Sequence, residues 1–252
     1  MAFEESLKNS IDTYVNGHLA SRDWHLERFD FIRDVELKER LADEFISARY
    51  IYKLLEGMAA DGWLLRAQIR IQVLSYASIY EAVLHHLLFE IGKSLPEVKK
   101  LREYKANKKI SIPAEKLKKL AKILEHDSKK IIPTYEGIAK NDETKVRFDE
   151  KAKCAHKLGL VSESIRDDII EFYEARNAIH IHAEIRKDLN YEIQLSRKAY
   201  FRMEPFIEGL KNTIISYERR VHNHEKKILI QNTKKYTYIS QNQRKFTIID
   251  KS

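Results

Sequence analysis

Cysteine is nearly missing from this chain: Cys154 stands alone in 252 residues. A lone thiol makes no internal disulfide and completes no Cys-based zinc cluster, as expected of a protein from a reducing compartment. Turn-formers are scarce too, with seven glycines and four prolines. That is too few for a many-stranded sandwich or barrel, whose hairpins consume them. No stretch approaches the roughly 18 uninterrupted apolar residues of a membrane span. The opening Met1-Ala2-Phe3-Glu4-Glu5-Ser6 is acidic where a secretory signal is basic. The expectation is a soluble, cytoplasmic protein with no membrane partner. What is present, 43% apolar and 33% charged residues, suits a globular helical protein long enough to build a real core without staples.

Acidic excess is also missing, but only on average. The formal charge of +8 divides sharply along the chain. Residues 1–92 and 158–218 together sum to −8, whereas 93–157 carry 19 basic and 10 acidic side chains, and 219–252 carry 9 and 2. An acidic body with two basic extensions is the distribution that gathers a polyanion by Coulomb attraction and counterion release. Solvated lysine-rich surface is the alternative reading.

Apolar residues recur every three or four positions from Val35 to Leu55 and again from Trp63 to Ile91, predicting two long helices, the second buried on much of its circumference. Gly92 suits the end of that helix. Residues 93–157 hold Pro96, Pro113 and Pro133 and only one clear helical pattern, from Ala114 to about His126, so they read as a basic insertion. Ser164, with Asp167 three positions on, is expected to cap the next helix. Its apolar face carries Ile165, Ile169, Phe172 and Tyr173, with Arg176 following. A last helix is expected over about Tyr191 to Asn223, kinked at Pro205. Beyond it, Ile228–Gln231, Lys235–Ser240 and Lys245–Ile249 are β-rich and alternate, predicting a small basic hairpin or meander. The expected division is a helical domain over 1–225 and a β appendage over 226–252.

The segment richest in chemistry is Tyr173-Glu174-Ala175-Arg176-Asn177-Ala178-Ile179-His180-Ile181-His182. It sets a permanent cation near groups that exchange protons close to neutral pH. Metal-free RNA cleavage needs both: the 2′-hydroxyl loses a proton, the phosphorane is stabilised, and the 5′-oxygen is protonated as it leaves. A guanidinium meets two phosphate oxygens with its planar fork.

In these residues the chain resembles the HEPN superfamily of small helical domains, many of them ribonucleases of toxin and antiviral systems. Its signature is Arg, commonly followed by Asn, Asp or His, then His after four to six intervening residues. Arg176-Asn177 with His182 has five; His180, with three, falls outside. The likeness covers about 63–92 and 160–220. It implies a mainly α, HEPN-like helical bundle and a homodimer in which two copies of the motif face one cleft, with Arg176 and His182 catalytic. No metal or other cofactor would be needed, and the product would carry a 2′,3′-cyclic phosphate. The implied role is a toxin or effector of bacterial defence or toxin–antitoxin systems, acting on RNA and restrained by a partner such as an antitoxin. The Tyr that some members carry two residues after the His is Glu184 here, against control by nucleotidyl transfer.

Each assignment has a plainer alternative. Arg176 could pair with Asp168 or Glu171 on its own helix. On a continued helix His180 shares a face with Arg176 and could replace His182. Asn177 would bond the backbone or orient the Arg. Glu81, a carboxylate inside an apolar stripe, needs a partner; it either forms a buried ion pair or orients Arg176. His85 and His86 read as packing or interface residues. The pair His180-x-His182 lacks nearby carboxylate or Cys spacing to complete a metal set. In the tail, Tyr236, Tyr238 and Phe246 among Lys234, Lys235, Arg244 and Lys245 could stack bases beside phosphate-binding cations, or fill a small sheet's core. A non-catalytic HEPN module that binds RNA, a nucleotide or a protein partner is the alternative to the nuclease.

Overall fold

The computed structural model describes residues 2–123, 132–178 and 192–249, with side chains described as far as Gln231. Helices α1 (Glu5–Gly17), α2 (Arg22–Arg28), α3 (Val35–Gly57) and α4 (Gly62–His85) come first. A single π-helical turn, His86–Ile91, ends α4. There follow α5 (Pro96–Arg102), β1 (Glu103–Lys109), α6 (Ala114–Ile123), β2 (Thr134–Lys140), a short 3-10 turn (Glu143–Lys145), α7 (Phe148–Lys157) and α8 (Glu163–Asn177). After residues 179–191, α9 (Ile193–Phe201) and the long α10 (Met203–Ile249) complete the description. The described residues are thus mainly helical with one small antiparallel sheet. Among the described residues no helix is long and apolar enough to cross a membrane.

Helix α4 is the centre of the bundle because its apolar residues run nearly all round it. Ile69, Val73, Tyr76, Ala77, Tyr80, Val83 and Leu84 are buried, and α3, α8 and α9 pack around them. Tyr80 donates to the Ala199 carbonyl at 2.8 Å, stacks on Phe172 and meets Phe206 edge-on, so one side chain ties α4 to α8, α9 and α10. Local signals place the neighbours. Asp34 caps α3 by accepting from the Leu37 amide at 3.0 Å. All four prolines sit at or just before the start of an element, where a missing amide is harmless: Pro96 and Pro205 in first turns, Pro113 before α6 and Pro133 before β2. At Gly92 the Cα is pressed against Tyr217, and an added Cβ would lie 1.8 Å from its hydroxyl. That hydroxyl donates to the Leu87 carbonyl at 2.9 Å, which also accepts from the Gly92 amide at 3.0 Å, closing the π turn.

Five sequence expectations need correction. The tail is not a β-meander: α10 continues without interruption from Met203 to Ile249, through the segment expected to be strands. No glycine follows Gly209 and no proline follows Pro205, so nothing ends the helix, and the β-rich composition alone does not decide where context differs. The sheet lies instead in the insertion. There β1 and β2 pair in register from Glu103↔Lys140 to Lys109↔Thr134, in runs such as Glu-Tyr-Lys-Ala-Asn-Lys-Lys whose composition disfavours strands. The insertion also ends earlier than residue 157, because α7 is a core helix that buries Phe148, Ala152, Cys154 and Ala155. Finally, the cap of α8 is Ser162, whose hydroxyl accepts from Ile165, two residues before the expected Ser164. The expected kink at Pro205 is a break between Phe201 and Met203, leaving the proline in the first turn of α10.

Candidate functional site

Arg176 lies in the last turn of α8, on the side facing α4 and α7. The buried residues Ile165, Asp168, Ile169, Phe172 and Ala175 fix that helix's orientation. Arg176 follows the last of them and keeps 29% of its side chain exposed. Two contacts hold the guanidinium. Its Nη1 donates to Glu81 Oε2 at 3.2 Å, and its carbon lies 5.0 Å from the centroid of Tyr173, one turn back. Tyr173 is itself stacked on Phe148 of α7 at 4.4 Å. The arginine is therefore aimed by three helices rather than left to rotate.

Glu81 is the hinge of the cluster. Its other oxygen, Oε1, lies 3.6 Å from the Lys151 ammonium, which donates toward His85 Nδ1 at 3.3 Å. The Lys151 side chain is only 2% exposed against 26% for Glu81. A cation this deeply buried is tolerable because a carboxylate, a ring nitrogen and the face of Phe89 at 5.9 Å surround it. Burial, with Lys151 adding repulsion, holds the His85 imidazole below its ordinary value. His85 is thus neutral near pH 7 and can accept from Lys151. The result is an open chain of contacts, Arg176–Glu81–Lys151–His85, deepest at Lys151 and solvent-accessible at Arg176.

Of the residues singled out by sequence, the structure brings Arg176, Glu81 and His85 together. Glu81 does contact Arg176, while the partners expected from α8 itself are engaged elsewhere: Asp168 pairs with Lys198 at 2.7 Å and with Arg202 at 2.5 Å, and Glu171 with Lys198 at 2.6 Å. Asn177 is exposed at the end of α8. His180 and His182 lie outside the described residues. So do the side chains of Lys234, Lys235, Tyr236, Tyr238, Arg244 and Lys245, whose backbone is helical and which therefore form no strand face. Lys151 was missed, although its signal resembles that of Glu81: a charge inside the apolar spacing of Phe148, Ala152 and Ala155.

Comparison with known proteins adds nothing to this geometry: no protein-family model, curated protein or solved structure matches the chain.

Proposed function

We propose that the protein is a metal-independent endoribonuclease of the HEPN kind, acting as a homodimer with Arg176 and His182 at a shared cleft. The observation that carries this reading is the setting of Arg176: the motif arginine is partly open to solvent yet clamped by Glu81 and Tyr173. A purely structural arginine would gain by burial, and a freely solvated one would need no clamp. Held in this way, the guanidinium can present its fork to a phosphate with little loss of side-chain entropy.

In the proposed reaction His182 removes the 2′-hydroxyl proton, and the 2′-oxygen attacks the adjacent phosphorus. Arg176 stabilises the charge that builds on the phosphoryl oxygens. The second histidine of the dimer protonates the departing 5′-oxygen, leaving a 2′,3′-cyclic phosphate and a 5′-hydroxyl. Glu81 is a positioning residue, since it acts through Arg176, and Lys151 holds Glu81 in place from its other oxygen. The basic insertion and the basic C-terminal part of α10 gather the substrate, and a role as toxin or defence effector, restrained by a partner protein, follows from an unregulated RNA-cleaving activity.

The test is a synthetic oligoribonucleotide beside its 2′-O-methyl counterpart, both in EDTA. Cleavage of the first alone, with cyclic-phosphate ends, is the expected result. Cleavage of both, or of neither at protein excess, overturns the mechanism.

A further inference from the structure

Nine residues before Glu81 on α4, which at about 100° per residue is the opposite face of the helix, Gln72 lies at the base of a second cleft. It has a volume of about 240 Å³ and is bounded by α3, α4 and α9. Gln72 is 2% exposed, and its Oε1 atom has no hydrogen-bond partner among the described residues. A buried carbonyl oxygen left unpaired is costly, and one lining a cleft is relieved when a donor enters.

The walls narrow the identity of that donor. Tyr52, Tyr76, Tyr200 and Phe201 line the cleft. Tyr76 and Tyr200 lie 6.1 Å apart between ring centroids, tilted 46° to each other, and Phe201 is 67% exposed. Such surfaces favour a flat ring. Arg49 stands over Tyr200 at 5.4 Å and over Trp24 at 5.7 Å, and Arg197 is exposed beside them. The lone carboxylate of the lining, Glu56, is already matched by Lys53 at 2.5 Å. Two guanidinium groups thus remain as the net charge of the cleft. An apolar ligand would leave Gln72 unpaired and desolvate the arginines for nothing, while a bare anion would leave the rings and Gln72 uncovered.

We propose that this cleft binds a nucleoside monophosphate unit, its base among Tyr52, Tyr76 and Tyr200 with an N–H on Gln72, and its phosphate on Arg49 and Arg197. The volume lies below the roughly 300–1,000 Å³ of sites for larger ligands, in keeping with a single nucleotide. The unit can arrive as a mononucleotide or as one residue of an RNA strand. This goes beyond the nuclease reading and does not depend on it, because a mononucleotide contains no phosphodiester to cleave.

Calorimetric titration of the full chain with AMP, GMP, CMP and UMP, inorganic phosphate, and 2′-O-methyl tetranucleotides tests it. At least one monophosphate should bind saturably at one site per chain, about tenfold or more tighter than phosphate alone. Arg197→Ala and Gln72→Met should each weaken it about tenfold, with the melting temperature of the Arg197 variant unchanged. Tighter binding of a tetranucleotide through the same residues identifies a strand as the source; equal or weaker binding identifies the mononucleotide. No saturable binding by any nucleotide, phosphate binding as tightly as the monophosphates, or affinity indifferent to both substitutions overturns the site.

Discussion

The two faces of α4 treat buried polarity in opposite ways. On the face of Glu81 each charge meets another group: Arg176 and Lys151 on the carboxylate, His85 on the lysine. On the face of Gln72 a buried oxygen has no partner among the described residues, beside two arginines that line an open cleft. Both faces belong to one helix whose apolar residues are buried along its length, so the difference lies in the polar groups rather than in the helix. A satisfied cluster rigidifies what it holds, whereas an unsatisfied one lowers stability until something binds. The first suits a group that must be aimed, the second a group that waits for a ligand.

The largest expected effect falls on the aimed group. Arg176→Ala should lower RNA cleavage by about 10²–10³-fold while leaving the circular dichroism spectrum intact, since the side chain is partly exposed; retained activity would remove Arg176 from the chemistry. Next is the cluster's own stability. Glu81→Leu leaves Lys151 buried without its carboxylate and should cost about 3 kcal/mol in urea unfolding. Lys151→Met, which keeps the Arg176–Glu81 pair, should cost about 1 kcal/mol or less. Equal losses in the two variants would mean that Glu81 does not compensate the lysine.

Acid acts on the bundle through its partly desolvated histidines. Burial, reinforced by Lys151 at His85 and by Arg49 and Arg28 at His25, holds both below the ordinary 6.5, and burial does the same at His86. Below that pH the unfolded chain takes up protons that the folded chain refuses. Stability should therefore be steady above about pH 7 and fall on acidification through and below pH 6.5. His85→Gln and His25→Gln should each flatten part of the fall in melting temperature. An unchanged profile in both would sink this attribution. The smallest effect is a gain: Gln72→Met removes the unpaired oxygen and should stabilise the ligand-free protein by about 1 kcal/mol, detectable as a higher urea midpoint.

The sequence made the helical body legible where apolar spacing was regular, in α3, α4 and α8, and it marked Glu81 as a charge in need of a partner. It failed at α7, because two lysines, an aspartate and a glutamate among Phe148, Ala152 and Ala155 masked the stripe. It failed again at the tail, where Tyr236, Tyr238 and Phe246 favour strands by composition, although the unbroken register from Met203 carries a helix through them. The strands of the insertion were invisible for the converse reason: lysine, asparagine, alanine and glycine disfavour strands, and the pairing rests on the backbone ladder and a cross-strand ion pair of Lys105 with Glu136 at 2.7 Å. Of the candidate site, the Arg176–Glu81 contact could be anticipated from two stripes meeting. Lys151 and the Gln72 cleft could not, since each depends on which faces of three helices converge.

The most direct test of the central claim is incubation of total RNA with the purified protein in EDTA, wild type beside Arg176→Ala and His182→Ala at equal concentration. Degradation by the wild type alone, with both variants folded and inert, is the predicted result. Equal degradation by all three, or none by the wild type, would contradict it.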